Sequence, residues 1–154
     1  KTLLLAPLAL FAALLVGQAA TERSKEHDAI RAAVLNYPEG WYDGDAERMK
    51  SCLHPQLAKR SVVQDANGAD VLREMNAEML IAATARNYGK NPPADQRRAD
   101  VKILEVYGNV ASVRVMMQDW IDYLHVAKID GTWKVVNVLW EPTPEAKERW
   151  AAGS

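Results

Sequence analysis

The chain has 154 residues, 49% of them hydrophobic and 25% charged, which is enough apolar material for one ordinary globular domain. Its formal net charge of −1 excludes any simple electrostatic argument for nucleic acid or an anionic membrane as a partner. The single cysteine, Cys52, excludes an internal disulfide and a cysteine-based zinc cluster, and its place on a predicted helix favours a buried apolar role.

The first 20 residues have the pattern of a secretory leader. A lysine precedes an apolar stretch, Leu3 to Val16, and small residues suited to cleavage follow at Ala19 and Ala20. A retained membrane anchor is the alternative, but the apolar stretch is shorter than the roughly 20 residues that a spanning helix needs. We therefore predict a signal peptide at 1–20, a single domain at 21–154, and export to the bacterial periplasm or beyond, with no other membrane contact.

A fusion of residues 1–25 to a reporter protein tests the export prediction. We expect the fusion to be processed near Ala19 or Ala20 and released outside the cytoplasm, because leader cleavage follows small residues. Immunoblotting of cell fractions measures the processing. An unprocessed fusion that stays in the membrane fraction would contradict the prediction.

The first half of the chain has the spacing of helices. Ser24 is the predicted N-cap of the first helix, and Pro38 is expected to kink or break that helix. Its apolar stripe consists of Ile30, Ala33, Val34, Tyr37 and Trp41. A second, short helix is predicted over 46–54, an extended segment over 57–64, and a third helix from the Asp70 cap to Tyr88.

The second half has the signals of an antiparallel meander. Asp130-Gly131 separates two runs rich in β-branched and aromatic residues and predicts a two-residue type I′ hairpin. Gly108-Asn109 predicts another tight turn between two earlier runs of the same kind. Three or four antiparallel strands are therefore expected in this half.

The hairpin turn predicts which side chains share a face of the sheet. One face combines Asp122, Leu124 and Val126 with Val135, Asn137 and Leu139, and the other combines Tyr123, His125 and Ala127 with Lys134, Val136 and Val138. Both faces are about half apolar, so each is expected to be covered. The predicted fold class is therefore α+β, with a curved antiparallel sheet wrapped around the N-terminal helices.

Two segments carry a resemblance to a known family. They are G-W-x-x-G-D-A at 40–46 and D-Y-L-x-x-x-K-I-D-G-x-W-K-V-V-N at 122–137. With these segments and this order of elements, the chain resembles the nuclear transport factor 2-like superfamily and, within it, the group called "putative lumazine-binding". Polyketide cyclase-like (SnoaL-like) and ketosteroid isomerase-like proteins are relatives of that group. The resemblance implies a cystatin-like cone with an internal apolar pocket, commonly in a homodimer, but fold does not settle function.

The expected pocket residues follow from the predicted faces and from the resemblance. The inward position of Asn137 that the resemblance implies places Asp122, Leu124 and Leu139 in the pocket with it. Asp122 in apolar surroundings suits a general acid or base, although a solvated carboxylate at the pocket mouth, or one bonded to a backbone amide, is the simpler alternative. From the first helix, Tyr37 is expected at the pocket because a buried hydroxyl needs a partner, and Trp41 is expected beside it as a core wedge.

The chain departs from the isomerase-like relatives after the second helix. Those relatives carry a catalytic aspartate where this chain has residues 54–61, which include no acid. The three histidines lack the spacing of metal ligands, so neither a metal nor another cofactor is predicted. Glu105, Arg114 and His125 are expected to form a charged network on the outer face, with His125 opposite Arg114.

Three functions remain open from the sequence. The favoured one is an exported protein that binds a small apolar or heterocyclic ligand in the cone without catalysis. The second is an isomerase, dehydratase or cyclase that uses Asp122 and Tyr37 in acid–base catalysis. The third is a structural dimer with a filled cone. A homodimer is expected through the outer face, because Tyr123, Val136, Val138 and Trp140 would leave that face too apolar for a bare surface.

Overall fold

A computed structural model describes residues 6–89 and 92–152. The chain forms helix α1 (Ala6–Asp43), helix α2 (Ala46–Cys52), strand β1 (Leu53–Gln64), strand β2 (Asp70–Met75), helix α3 (Ala77–Ala85), a 3₁₀ turn (Ala94–Gln96), strands β3 (Ala99–Tyr107), β4 (Val110–Met117), β5 (Trp120–Ile129) and β6 (Thr132–Pro142), and helix α4 (Pro144–Ala152). Among the described helices, none is long and apolar enough to cross a membrane.

The six strands form one curved, unclosed sheet in the order β2-β1-β6-β5-β4-β3. The predicted meander is confirmed, because β3 to β6 pair antiparallel with their neighbours in chain order. The expectation of a wholly antiparallel sheet is wrong, because β1 runs parallel to β6. Strand β2, helix α3 and strands β3 to β5 separate these two strands in sequence, which provides the long connection that a parallel pair requires. The α+β class is confirmed.

Helix α1 is longer than its sequence signals predict. It runs unbroken from Ala6 to Asp43, so Ser24 lies inside the helix instead of capping it, and Pro38 does not end it. The side chain of Pro38 is fully buried, and this apolar burial offsets the backbone hydrogen bond that proline removes. The predicted stripe faces the core, with Ile30 and Val34 buried at its centre. Residues 1–5 of the predicted leader lie outside the described residues, and the leader stays a prediction.

The predicted third helix begins later than expected. Asp70–Met75 forms strand β2, and α3 begins at Ala77 after an Asn76 N-cap whose Oδ1 accepts the N–H of Met79 at 2.9 Å. The reason lies in the preceding turn, where Oδ1 of Asp65 accepts the N–H groups of Asn67 and Ala69. This turn folds β2 back along β1, and the pairing satisfies backbone groups at a sheet edge that a helix would leave open.

The last hairpin confirms the predicted turn but not the whole predicted register. Asp130 and Gly131 have φ values of 50° and 77°, as a type I′ turn requires, and Val126 opposes Val135. Beyond this pair, a β-bulge inserts one extra residue in β6. Leu124 therefore opposes Val138, and Asp122 opposes Trp140.

A shift of one residue exchanges the two faces of a strand, and this has happened to the second half of β6. The predicted inward positions of Asn137 and Leu139 are wrong, since both lie on the outer face. Val138 and Trp140, predicted outside, face the helices, and Val138 has 0% exposed surface.

The predicted pairing of His125 with Arg114 is also wrong. His125 opposes Ser112, and Arg114 opposes Tyr123 two pairs further along the ladder. The turn between β4 and β5 consists of Gln118 and Asp119 and therefore lies one residue earlier than the tight turn at Asp119-Trp120 assumed from the sequence. Glu105 opposes Ser112 from the other side, so the three residues occupy one outer region without a direct His125–Arg114 pair.

Candidate ligand-binding site

A cavity of about 280 Å³ lies between the helices and the inner face of the sheet. Its wall is mostly aromatic and apolar and consists of Tyr37, Trp41, Lys59, Arg73, Met75, Leu80, Tyr88, Met117, Trp120, Asp122 and Trp140. The rings of Trp120 and Trp140 pack edge to face with their centroids 4.9 Å apart, and this contact favours one orientation of each ring at the wall. Such a wall suits a flat apolar molecule that stacks on aromatic rings.

Three polar side chains meet at this cavity from three different elements. Tyr37 of α1 donates its hydroxyl to Oδ2 of Asp122 in β5 at 2.6 Å. Lys59 of β1 donates from Nζ to the Tyr37 oxygen at 2.6 Å and to Oδ2 of Asp122 at 3.3 Å. All three side chains are buried, so this cluster holds a cation and a carboxyl group together in apolar surroundings.

Burial changes the acid–base properties of this cluster. It raises the pKa of Tyr37 well above its usual value, and the neighbouring Asp122 adds to the effect because a phenolate beside it would be repelled. Burial lowers the pKa of the Lys59 ammonium, and Asp122 opposes that decrease. The Trp140 ring, whose centroid is 4.8 Å from Nζ, also favours the ammonium form. Tyr37 is thus a neutral hydrogen-bond donor, and Asp122 and Trp140 favour the ammonium form of Lys59 against the effect of burial.

The second carboxyl oxygen of Asp122 has no hydrogen-bond partner in the part of the chain that the structure describes. Oδ1 is buried and bonds to none of the described residues, while Oδ2 accepts from both Tyr37 and Lys59. A buried polar atom without a partner costs about 1–3 kcal/mol, more when it is charged. Since Asp122 lines the cavity, a molecule in the cavity is the available source of a donor.

The segment after α3 packs directly on the aromatic wall. A Cβ atom at Gly89 would lie 2.3 Å from the backbone oxygen of Trp41 and 2.5 Å from its Cδ1, so only glycine allows this approach. The preceding residue, Tyr88, lines the cavity although 58% of its surface is exposed. Tyr88 therefore marks the side on which the cavity meets solvent.

The predicted pocket residues divide into two groups. Tyr37, Trp41 and Asp122 lie together on the cavity, and Leu124 is buried in the core without lining it. Asn137 and Leu139 lie on the opposite side of the sheet, where Asn137 accepts a hydrogen bond from Arg60 at 3.4 Å. Asp122 does not bond a backbone amide and is not solvated at a mouth, since only 1% of its surface is exposed.

Lys59 is the functional residue that the sequence reasoning missed. A signal for it exists, because Leu57, Lys59 and Ser61 alternate as the buried positions of β1. Lysine is so rarely buried without a partner that this alternation alone does not predict a buried lysine in the extended segment 57–64. The partner, Asp122, is 63 residues away in the chain.

The buried tyrosine makes a testable prediction about alkaline pH. Above about pH 10, unfolded tyrosines lose their proton while native Tyr37 keeps its own, so the free energy of unfolding falls as the pH rises. Lys59 has the opposite effect on the free energy of unfolding. Because its native pKa is lowered, the unfolded state holds the Lys59 proton more strongly, and the free energy of unfolding rises as the pH approaches the unfolded pKa of about 10.4.

We therefore expect Tyr37→Phe to lose less stability than the unchanged protein between about pH 9 and about pH 11. Urea unfolding at the two pH values measures the difference. Tyr107→Phe changes a surface tyrosine and should keep the original decline. An equal decline in Tyr37→Phe would show that Tyr37 titrates freely in the native state.

The curved sheet, the helices on its inner face and the cavity between them define a protein of the nuclear transport factor 2-like class. Solved structures support this class. The chain is similar to a protein of unknown function from Shewanella baltica OS155, with TM-score 0.63 and 21% identity over 79% of this chain and 96% of that one. It is also similar to one from Silicibacter pomeroyi DSS-3, with TM-score 0.62 and 17% identity over 79% and 98%. These identities establish the fold alone.

The family itself is identified from the sequence. A model of the family described as "Putative lumazine-binding" matches residues 25–141, and the chain belongs to that family. The resemblance inferred from the two motifs is thereby confirmed. No curated protein matches the chain.

Proposed function

We propose that this protein binds a small, planar, largely apolar heterocycle in the aromatic cavity, and that it acts by binding without catalysis. The observation that carries the proposal is the combination of aromatic walls with one buried polar cluster. Aromatic surfaces contribute affinity through burial and stacking, and a small number of polar groups orients the ligand. A volume of about 280 Å³ lies near the lower end of the roughly 300–1,000 Å³ typical of ligand pockets, which favours a small ligand.

The description of the family supports a heterocyclic ligand of this kind. Lumazine is a flat bicyclic molecule with polar atoms on its edges, so it can stack on Trp120 or Trp140 while one edge meets Asp122 and Lys59. Lumazine is therefore the first probe for the cavity, and its affinity is measurable by isothermal titration calorimetry.

The calorimetric test compares cavity and outer-face variants. We expect Trp120→Leu to weaken lumazine binding roughly three- to tenfold, as loss of one aromatic contact does. Asn137→Leu is the matched control, because Asn137 lies on the other side of the sheet and should leave the affinity unchanged. Binding that is absent, or weakened equally by both variants, would contradict the proposal.

Acid–base catalysis is the second candidate, and one observation favours it. Lys59 lies in the segment where isomerase-like relatives are expected to carry their acid, and it joins Tyr37 and Asp122 to make a chain of proton-bearing groups. An enzyme would convert a bound heterocycle over time, and Tyr37→Phe would slow the conversion. We expect chromatography after prolonged incubation to recover the ligand unchanged.

A homodimer through the outer face of the sheet remains a proposal with a revised set of residues. Val62, Tyr123 and Leu139 line one depression on that face and are 49%, 51% and 50% exposed. A second copy that covers this apolar region would remove its surface from water. We expect sedimentation at micromolar concentration to show a dimer that Leu139→Asp converts to a monomer. A monomer in the unchanged protein would contradict the proposal and, with it, the structural-dimer hypothesis.

Export is proposed on the leader pattern alone, so the heterocycle would be bound outside the cytoplasm. The reporter fusion of residues 1–25 tests this proposal independently of ligand binding.

A further inference from the structure

We infer that Asp122 and Lys59 together select ligands that present a ring N–H donor beside a carbonyl acceptor on one edge. This inference rests on the proposed function and specifies the ligand class of the same cavity. Cyclic imides, lactams and ureides belong to this class.

The two carboxyl oxygens of Asp122 have different roles. Oδ2 already accepts from the Tyr37 hydroxyl at 2.6 Å and from Lys59 at 3.3 Å, which leaves it little capacity for a ligand. Oδ1 is buried and has no partner among the described residues. A ligand that meets Oδ1 must therefore bring a donor.

Lys59 supplies the complementary half of the recognition. Its ammonium has three N–H groups, and among the described residues it donates hydrogen bonds to Tyr37 and Asp122. The remaining N–H is available to a carbonyl oxygen of a molecule in the cavity that Lys59 also lines. An acceptor beside Lys59 and a donor beside Oδ1 are thus required on the same edge.

This arrangement also rejects other ligand classes. A ligand carboxylate that approaches Oδ1 places two carboxyl groups side by side, and two negative charges at that distance repel each other. A purely apolar ligand displaces water from Oδ1 and offers no hydrogen-bond donor in its place. Displacing water without restoring its hydrogen bond lowers the affinity. Fatty acids bound head-first and donor-free hydrocarbons should therefore bind weakly.

The experiment compares lumazine with 1,3-dimethyllumazine, in which methyl groups replace the hydrogen atoms on both N–H ring nitrogens. We expect the unchanged protein to prefer lumazine roughly tenfold to a hundredfold, the range for a hydrogen bond to a charged group. Equal affinities would overturn the inference and leave the proposed function standing. If neither compound binds, both the inference and the proposed function fail.

Asp122→Asn separates hydrogen bonding from the bulk of the methyl groups. With Tyr37 and Lys59 both donating to the amide oxygen, the amide NH₂ takes the place of Oδ1 and turns an acceptor into a donor. The preference for lumazine should then collapse to about one, mainly through weaker lumazine binding. A preference that survives in a folded Asp122→Asn variant would assign it to steric exclusion and overturn the inference.

A second measurement needs no variant. The 1-methyl and 3-methyl isomers of lumazine each keep one ring N–H, so a single accepting oxygen should distinguish them. One isomer is expected to bind like lumazine and the other like the dimethyl compound. Isomers that bind equally well would contradict recognition of one N–H by Oδ1.

Discussion

Asp122→Ala is expected to lower the free energy of unfolding by about 3–5 kcal/mol, as removal of one partner from a buried ion pair does. The loss arises because Lys59 stays buried as a cation without its carboxyl partner, and the Tyr37 hydroxyl loses its acceptor. Urea unfolding at neutral pH measures the change. Asp119→Ala is the matched control, since Asp119 pairs with Arg149 on the surface and such pairs contribute about 0–1 kcal/mol.

The double variant Lys59→Met/Asp122→Leu shows whether the loss comes from the unpaired charge. Replacing both charges with apolar groups of similar size removes the uncompensated cation, so the double variant should be more stable than Asp122→Ala. Losses in the single variants Lys59→Met and Asp122→Leu that simply add in the double variant would show that the two side chains are not coupled.

Val138→Asp is expected to lower the free energy of unfolding by about 4 kcal/mol or more, or to prevent folding. The bulge in β6 turns Val138 towards the helices, opposite Leu124, where it has 0% exposed surface and where a carboxylate would be buried in the apolar core. Leu139→Asp changes the adjacent residue, which is half exposed on the outer face of a single protomer, and should cost that protomer about 1 kcal/mol or less, apart from the dimer contacts it removes.

The contrast between these two variants tests the register of the last hairpin. Without the bulge, Leu139 would face the core and Val138 would face outward, so the two costs would be exchanged. Thermal unfolding of both variants, with circular dichroism to confirm the fold, decides between the registers. Because Val138 belongs to the core, substitutions there cannot report on a dimer, whereas Leu139→Asp can.

Features that depend on neighbours in the chain were predictable from the sequence. The Asp130-Gly131 turn follows from the positive φ values that these two residues tolerate, and the apolar stripe of α1 follows from helical spacing. The Tyr37 position on the inner side of α1 belongs to the same stripe. Local chemistry is sufficient for these features because the interactions that favour them span only a few residues.

Features that depend on distant parts of the chain were not predictable in this way. Asp70–Met75 has the spacing of a helix, but the unpaired edge of β1 makes it a strand. The bulge in β6, next to the Val126–Val135 pair, moves Asn137 out of the cavity and brings Trp140 in. No residue type in the hairpin predicts this bulge. Lys59 acquires its role only when the parallel pairing of β1 with β6 carries it to Tyr37 and Asp122. The reason is physical: burial of a charge is favourable only beside its partner, and strand pairing decides which partners meet.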